Sequence, residues 1–88
     1  MATSEELTRR IRDVVRDHAH LAVDASALAD AGDLYQAGMT SHASVNLMLA
    51  LEEAFDVEFP ERMLRRRAFE SIAAIRSGID ELLRERGA

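Results

Sequence analysis

The side chains best placed to do chemistry lie mid-chain, in Gly38-Met39-Thr40-Ser41-His42-Ala43-Ser44, where a polar loop meets a long apolar run. Ser41 and Ser44 offer hydroxyls, and His42 adjoins the first of them. Neither hydroxyl has a base at a spacing that would make a nucleophilic pair, and no phosphate-binding glycine loop is visible, so catalysis is not expected. His18 and His20 are two residues apart and diverge on a helix, which argues against a metal pair and for a packed helix-end residue and a loop residue. Glu52 and Glu53 are adjacent on a helix and also diverge, so they form no acid/base pair. Arg62-Met63-Leu64-Arg65-Arg66-Arg67 is a basic block that reads either as a docking patch or as a solvated helix face.

Placing these residues falls to amphipathic helices. Leu7, Ile11, Val14, Val15 and His18 recur at helical spacing, and Thr3 with Glu6 has capping-box spacing, predicting helix I from about Ser4 to Ala19. From Leu21 to Thr40 turn formers are interleaved with single apolar residues, which predicts a long loop with one short turn at Ala25–Ala29. A loop of that length needs anchors, here Leu28, Leu34 and Tyr35. Helix II runs from Ser41 to Phe55 with Thr40 as N-cap, and its expected stripe is Val45, Met48, Leu51 and Phe55, widened by Leu47 and Leu49. Pro60 suits the first position of a short helix III ending near Arg66. Ser71 can cap helix IV, striped by Ile72, Ile75, Ile79, Leu82 and Leu83. The expected fold is all-α: a single domain over residues 1–88, a small four-helix bundle with a long first loop.

Composition narrows the function classes. Apolar residues at 48% supply a core, and aromatics at only 5% make it one of aliphatic side chains packed between helices. The chain has no cysteine, so neither disulfides nor a thiol come from the polypeptide. Its net charge of −5, with no lysine among the 11 basic residues, opposes binding to nucleic-acid backbones. Neither a signal peptide nor a membrane span is evident, so a cytoplasmic protein without a membrane partner is expected.

The stretch Asp33-Leu34-Tyr35-Gln36-Ala37-Gly38-Met39-Thr40-Ser41, followed by an apolar helix ending Leu51-Glu52-Glu53-Ala54-Phe55, resembles the centre of acyl and peptidyl carrier proteins. Their pattern is Asp-Leu, three residues, Gly, two residues, then a serine that is modified. The match needs no gap from Gly38 to Phe55. The resemblance implies a carrier-type bundle, a 4'-phosphopantetheine cofactor attached at Ser41 by a phosphopantetheinyl transferase, and no catalytic role for the chain itself. A helix start suits that attachment, because unpaired N–H groups and the positive end of the helix dipole favour an added phosphodiester charge. The arm would bring the thiol that the chain lacks. On this reading Ser44 lies sideways on the helix and bonds locally.

The departures from the pattern are informative. Carriers usually have Asp or His before the serine and Leu after it; here the neighbours are Thr40 and His42. Carriers of fatty-acid synthesis place acid along the start of helix II and on helix III, where this chain has Ala43, Asn46 and the arginine block. A changed charge pattern implies changed partners. Thr40-Ser41-His42-Ala43-Ser44-Val45-Asn46 is similar to stand-alone bacterial aminoacyl carrier proteins. That similarity implies a small amino acid, glycine or alanine, loaded after ATP-dependent adenylation by an amino acid:carrier protein ligase related to class II aminoacyl-tRNA synthetases, and passed to a downstream acceptor enzyme. Thr40, His42, Ala43, Val45, Asn46, Arg62, Arg65 and Arg66 are the residues expected to meet partners, with the protein a monomer. His42 reads equally as a solvated surface residue. The competing readings are an unmodified helical scaffold or regulatory module and, opposed by the charge balance, a small DNA-binding domain.

Overall fold

A computed structural model describes residues 3–87 as three α-helices joined by two irregular connections, with no strand among them. Helix α1 covers Ser4–His18. Thr3 is extended, and its hydroxyl accepts the Glu6 N–H at 3.1 Å, satisfying one of the donors that a helix start leaves without a partner. Leu7, Ile11 and Val15 face the core and Val14 packs at its margin. His18, expected to pack, is exposed; the helix end is closed instead by Ala19, which is fully buried.

The long connection is anchored as the sequence suggests. Leu34 is completely buried, while Leu28 and Tyr35 lean on the core. The expected turn at Ala25–Ala29 is a 3-10 turn over Ala25–Ala27, capped by the Asp24 carboxylate. Backbone bonds sew the loop to the start of the last helix: Leu34 N–H donates to Glu70 O at 2.7 Å and Ala73 N–H to Asp30 O at 2.8 Å. Arg12 of α1 reaches across to hold it, donating to the carbonyls of Ala25 at 2.6 Å and Leu28 at 2.8 Å and pairing with Asp30.

Helix α2 occupies Ser41–Phe55 and α3 Ile72–Gly87. Ser71 caps α3 through its hydroxyl, which accepts the Ala74 N–H at 3.0 Å. Helix α1 packs against both α2 and α3. The buried face of α2 is Ala43, Leu47, Leu51 and Phe55, an i, i+4 row. The stripe expected from sequence is therefore rotated. Val45 and Leu49 are 51% and 53% exposed and Met48 only half-buried. Apolar residues surround most of this helix, so its hydrophobic pattern alone leaves the phase open; contact with α1 selects one.

The short helix III expected over Pro60–Arg66 is absent. Two 3-10 turns, Glu61–Met63 and Arg66–Phe69, replace it, with Arg65 extended between them (φ −129°, ψ 153°). Pro60 precedes the first turn in an extended conformation rather than opening a helix. A continuous helix here would set Arg62 against Arg65 and Arg66 at i+3 and i+4, a like-charge arrangement that weakens helices. It would also bury little, because packing of an apolar face is what sustains short helices and this block offers few apolar side chains. The break instead lets Phe69 enter the core edge-on against Phe59, ring centroids 5.2 Å apart. No helix among the described residues is long and apolar enough to cross a membrane.

Candidate functional site

Thr40 is extended (φ −84°, ψ 166°), and its hydroxyl accepts the Ala43 N–H at 3.0 Å, so α2 begins at Ser41. That capping satisfies one of the orphan donors of the first turn and leaves those of Ser41 and His42 without intrahelical acceptors. Ser41 is exposed, and its hydroxyl has no hydrogen-bond partner among the described residues. The Ser44 hydroxyl is occupied, donating to Ser41 O at 2.7 Å, so the second candidate nucleophile is tied to the helix backbone.

The approach to this helix start depends on Gly38. Its φ of +115° is unfavourable for any side chain, and a Cβ there would lie 2.9 Å from the Ala22 nitrogen. The close approach is held by Ala22 N–H donating to Ala37 O at 2.9 Å. Asp33 organises the preceding turn, its carboxylate accepting the N–H groups of Tyr35 at 2.8 Å and Gln36 at 3.3 Å.

Beside Ser41 lies an open groove of about 290 Å³, lined by Tyr35, Ser41, Ser44, Val45, Met48, Leu64, Arg65, Arg66 and Phe69. Its walls are aliphatic and aromatic, and its only charged residues are the two arginines. Arg66 lies over the Tyr35 ring, 3.7 Å from its centroid, while the Tyr35 hydroxyl donates to Arg66 O at 3.3 Å.

Of the residues expected to meet partners, Thr40, His42, Val45 and Asn46 are exposed at the start of α2, around Ser41. Ala43 is not: at 3% exposure it packs into the core, in line with Leu47, Leu51 and Phe55 on the buried face of α2. The arginine block divides. Arg62 turns to α3, pairing with Glu85 at 3.0 Å and Glu81 at 3.6 Å, whereas Arg65 and Arg66 line the groove. Glu52 is half-buried and accepts the Phe59 N–H at 2.8 Å, closing the turn after α2. Sequence reasoning missed Met48, Leu64 and Phe69 as groove residues, since an apolar residue reads as core by default; the one available signal was the apolar pair Met63-Leu64 set among the arginines.

Residues 9–76 match the family model described as the phosphopantetheine attachment site. The chain is 45% identical over 73 residues to the aminoacyl carrier protein of Agrobacterium fabrum, covering 83% of this chain and 88% of that protein. It also matches a chain in the crystal structure of an engineered Bradyrhizobium japonicum glycine:[carrier protein] ligase complexed with carrier protein from Agrobacterium tumefaciens and ATP. There the TM-score is 0.83 at 43% identity, covering 85% of this chain and 97% of that one. A solution structure from Agrobacterium tumefaciens matches with a TM-score of 0.71 at 41% identity, covering 92% and 99% of the two chains. The chain thus belongs to the phosphopantetheine attachment family, on its aminoacyl carrier branch.

The cofactor of this family is 4'-phosphopantetheine, and the residues at the start of α2 fit it. An exposed, unpartnered hydroxyl can form the phosphoester, two orphan N–H groups and the helix dipole favour its charge, and the neighbouring groove is apolar with a cationic border. When attached, the group supplies a thiol on which an acyl group is held as a thioester.

Proposed function

We propose that Ser41 is the attachment point and that the chain, acting as one carrier unit over residues 1–88 and as a cytoplasmic monomer, accepts a small amino acid from an ATP-dependent amino acid:carrier protein ligase and delivers it to a further enzyme. The observation that carries this reading is the unpartnered Ser41 hydroxyl at the capped tip of α2, at the position where the family pattern has its modified serine. In the attachment step the Ser41 oxygen forms a bond to the phosphorus of coenzyme A that bears the pantetheine. The phosphoanhydride bond to 3',5'-ADP breaks, and the hydroxyl proton passes to a base of the transferase. The likeness to a structure of a glycine:[carrier protein] ligase with its carrier protein supports the choice of ligase and of a small amino acid.

Docking falls to the exposed part of the α2 start, Thr40, His42, Val45 and Asn46, together with Arg65 and Arg66 across the groove. Arg62, held to α3, contributes less. Incubation with coenzyme A and a broad-specificity phosphopantetheinyl transferase should add the mass of one arm to the intact protein, and Ser41→Ala should abolish the gain. Adding the ligase, ATP and glycine or alanine should then add one aminoacyl group. A protein that gains no mass with several transferases is an unmodified scaffold, and the proposal is lost.

A further inference from the structure

Six of the eleven arginines, Arg12, Arg16, Arg62, Arg76, Arg84 and Arg86, pair with carboxylates, and Arg10 is held on the Ala54 carbonyl and the Phe55 ring. Arg65 and Arg66 pair with none among the described residues, yet they are the charged residues of the groove that contains Ser41. No carboxylate lines that groove, although acidic residues outnumber basic ones in the chain by 16 to 11. Two cations beside a helix start repel each other and the helix dipole, and among the described residues only the Tyr35 ring, under Arg66, offsets this.

We infer that Arg65 and Arg66 are the intramolecular counter-charge for the phosphodiester formed at Ser41, and so hold the base of the arm against the groove. The inference rests on Ser41 being the attachment point. The orientation of Arg66 suits the task. Its guanidinium lies over the Tyr35 ring, and its N–H groups, which can bond phosphate oxygens in bidentate fashion, have no acceptor among the described residues. Tyr35 is itself set by the Asp33 carboxylate and fixes Arg66 twice, through its ring and through its hydroxyl on the Arg66 carbonyl. Tyr35 is therefore a positioning residue. Arg65 is extended between the two 3-10 turns, the break that frees it from a helical row with Arg62.

The two readings of this pair separate in the isolated protein, with no partner present. Side-chain nitrogen NMR of apo and holo protein should show the Nε–Hε signals of Arg65 and Arg66 shifting on attachment, while those of Arg84 stay in place. Salt near 1 M, where the screening length falls to about 3 Å, should shrink the shift. The phosphorus resonance of holo protein should move in Arg65→Gln/Arg66→Gln, whose apo amide spectrum shows the fold retained; if that variant unfolds, the single Arg66→Lys serves, keeping the charge but losing the bidentate edge and part of the shift. A protein that gains the arm while both arginine signals stay unmoved overturns this inference and leaves the carrier reading intact. Failure to gain the arm overturns both.

Discussion

Two arginine-rich regions of this small protein look alike in composition and behave oppositely. At the open end of the long loop, Arg12 and Arg76 converge on Asp30, and both guanidinium groups have acceptors: Arg12 two loop carbonyls and the carboxylate, Arg76 the Thr8 hydroxyl at 3.0 Å and, more distantly, Asp30. Beside Ser41, Arg65 and Arg66 meet a ring, a groove wall and solvent. The first region is a knot that closes a loop; the second is charge held in reserve beside a hydroxyl. Arginine is suited to both, because its planar fork can satisfy several carbonyls at once or wait for an oxyanion. What separates the two is whether acceptors lie within reach in the folded chain.

The comparison breaks most sharply at Ser41. Ser41→Ala should abolish loading completely while leaving circular dichroism and melting temperature almost unchanged; extensive unfolding would make the serine structural. At the knot the expectation inverts. Arg12→Ala removes charge-assisted bonds from a side chain that is only 24% exposed and strips two loop carbonyls of their donor. It should cost on the order of 2–3 kcal/mol in denaturant unfolding, with Ser41 still modified in the folded fraction. A loss below half a kilocalorie would show the loop closing without the knot.

Gly38 joins the two regions, since it lets the loop reach the start of α2. Gly38→Ala should cost about 1–2 kcal/mol from the left-handed backbone alone, and more if Ala22 fails to move away. The groove arginines should matter little to stability. Arg65→Glu/Arg66→Glu should change unfolding free energy by no more than about 0.5 kcal/mol, still accept the arm, and weaken ligase docking; unaltered affinity and transfer rate would remove them from the interface.

The smallest effect is on acid stability. The backbone N–H of Ser26, helped by its side chain, holds the Asp24 carboxyl below the ordinary aspartate range, and a hydrogen bond from Arg16 does the same for Asp17. A depressed folded value means stability that is fully present above the unfolded aspartate value and is lost as pH falls through the folded one. Asp24→Asn should therefore flatten slightly the decline of melting temperature below about pH 4. An identical decline in variant and parent would show the cap to be energetically silent.

Much of the site could be read before any fold was known. Local chemistry marks the start of α2, because a capping threonine, a flexible glycine and an apolar run act within one or two turns of chain. His42 and Asn46 lie on the surface, whereas Val45, expected in the apolar stripe, is exposed and Ala43 is buried. Its burial follows from the phase of α2, and a helix apolar on most sides carries no such phase in its sequence. Helix III was misread for a related reason. Pro60 and the residues after it have acceptable helix chemistry, but the arginines repel and Phe69 gains more by reaching Phe59.

The sequence by itself therefore determined an all-helical carrier with one exposed serine at a capped helix tip and a thiol to be supplied from outside, since these depend on residue identity and short spacing. Tertiary structure alone decided which face of α2 is buried, that the third helix dissolves into two turns, and which arginines are tied and which stand beside Ser41. Those outcomes depend on partners distant along the chain, and burial and ion pairing are settled by what the fold brings within contact distance.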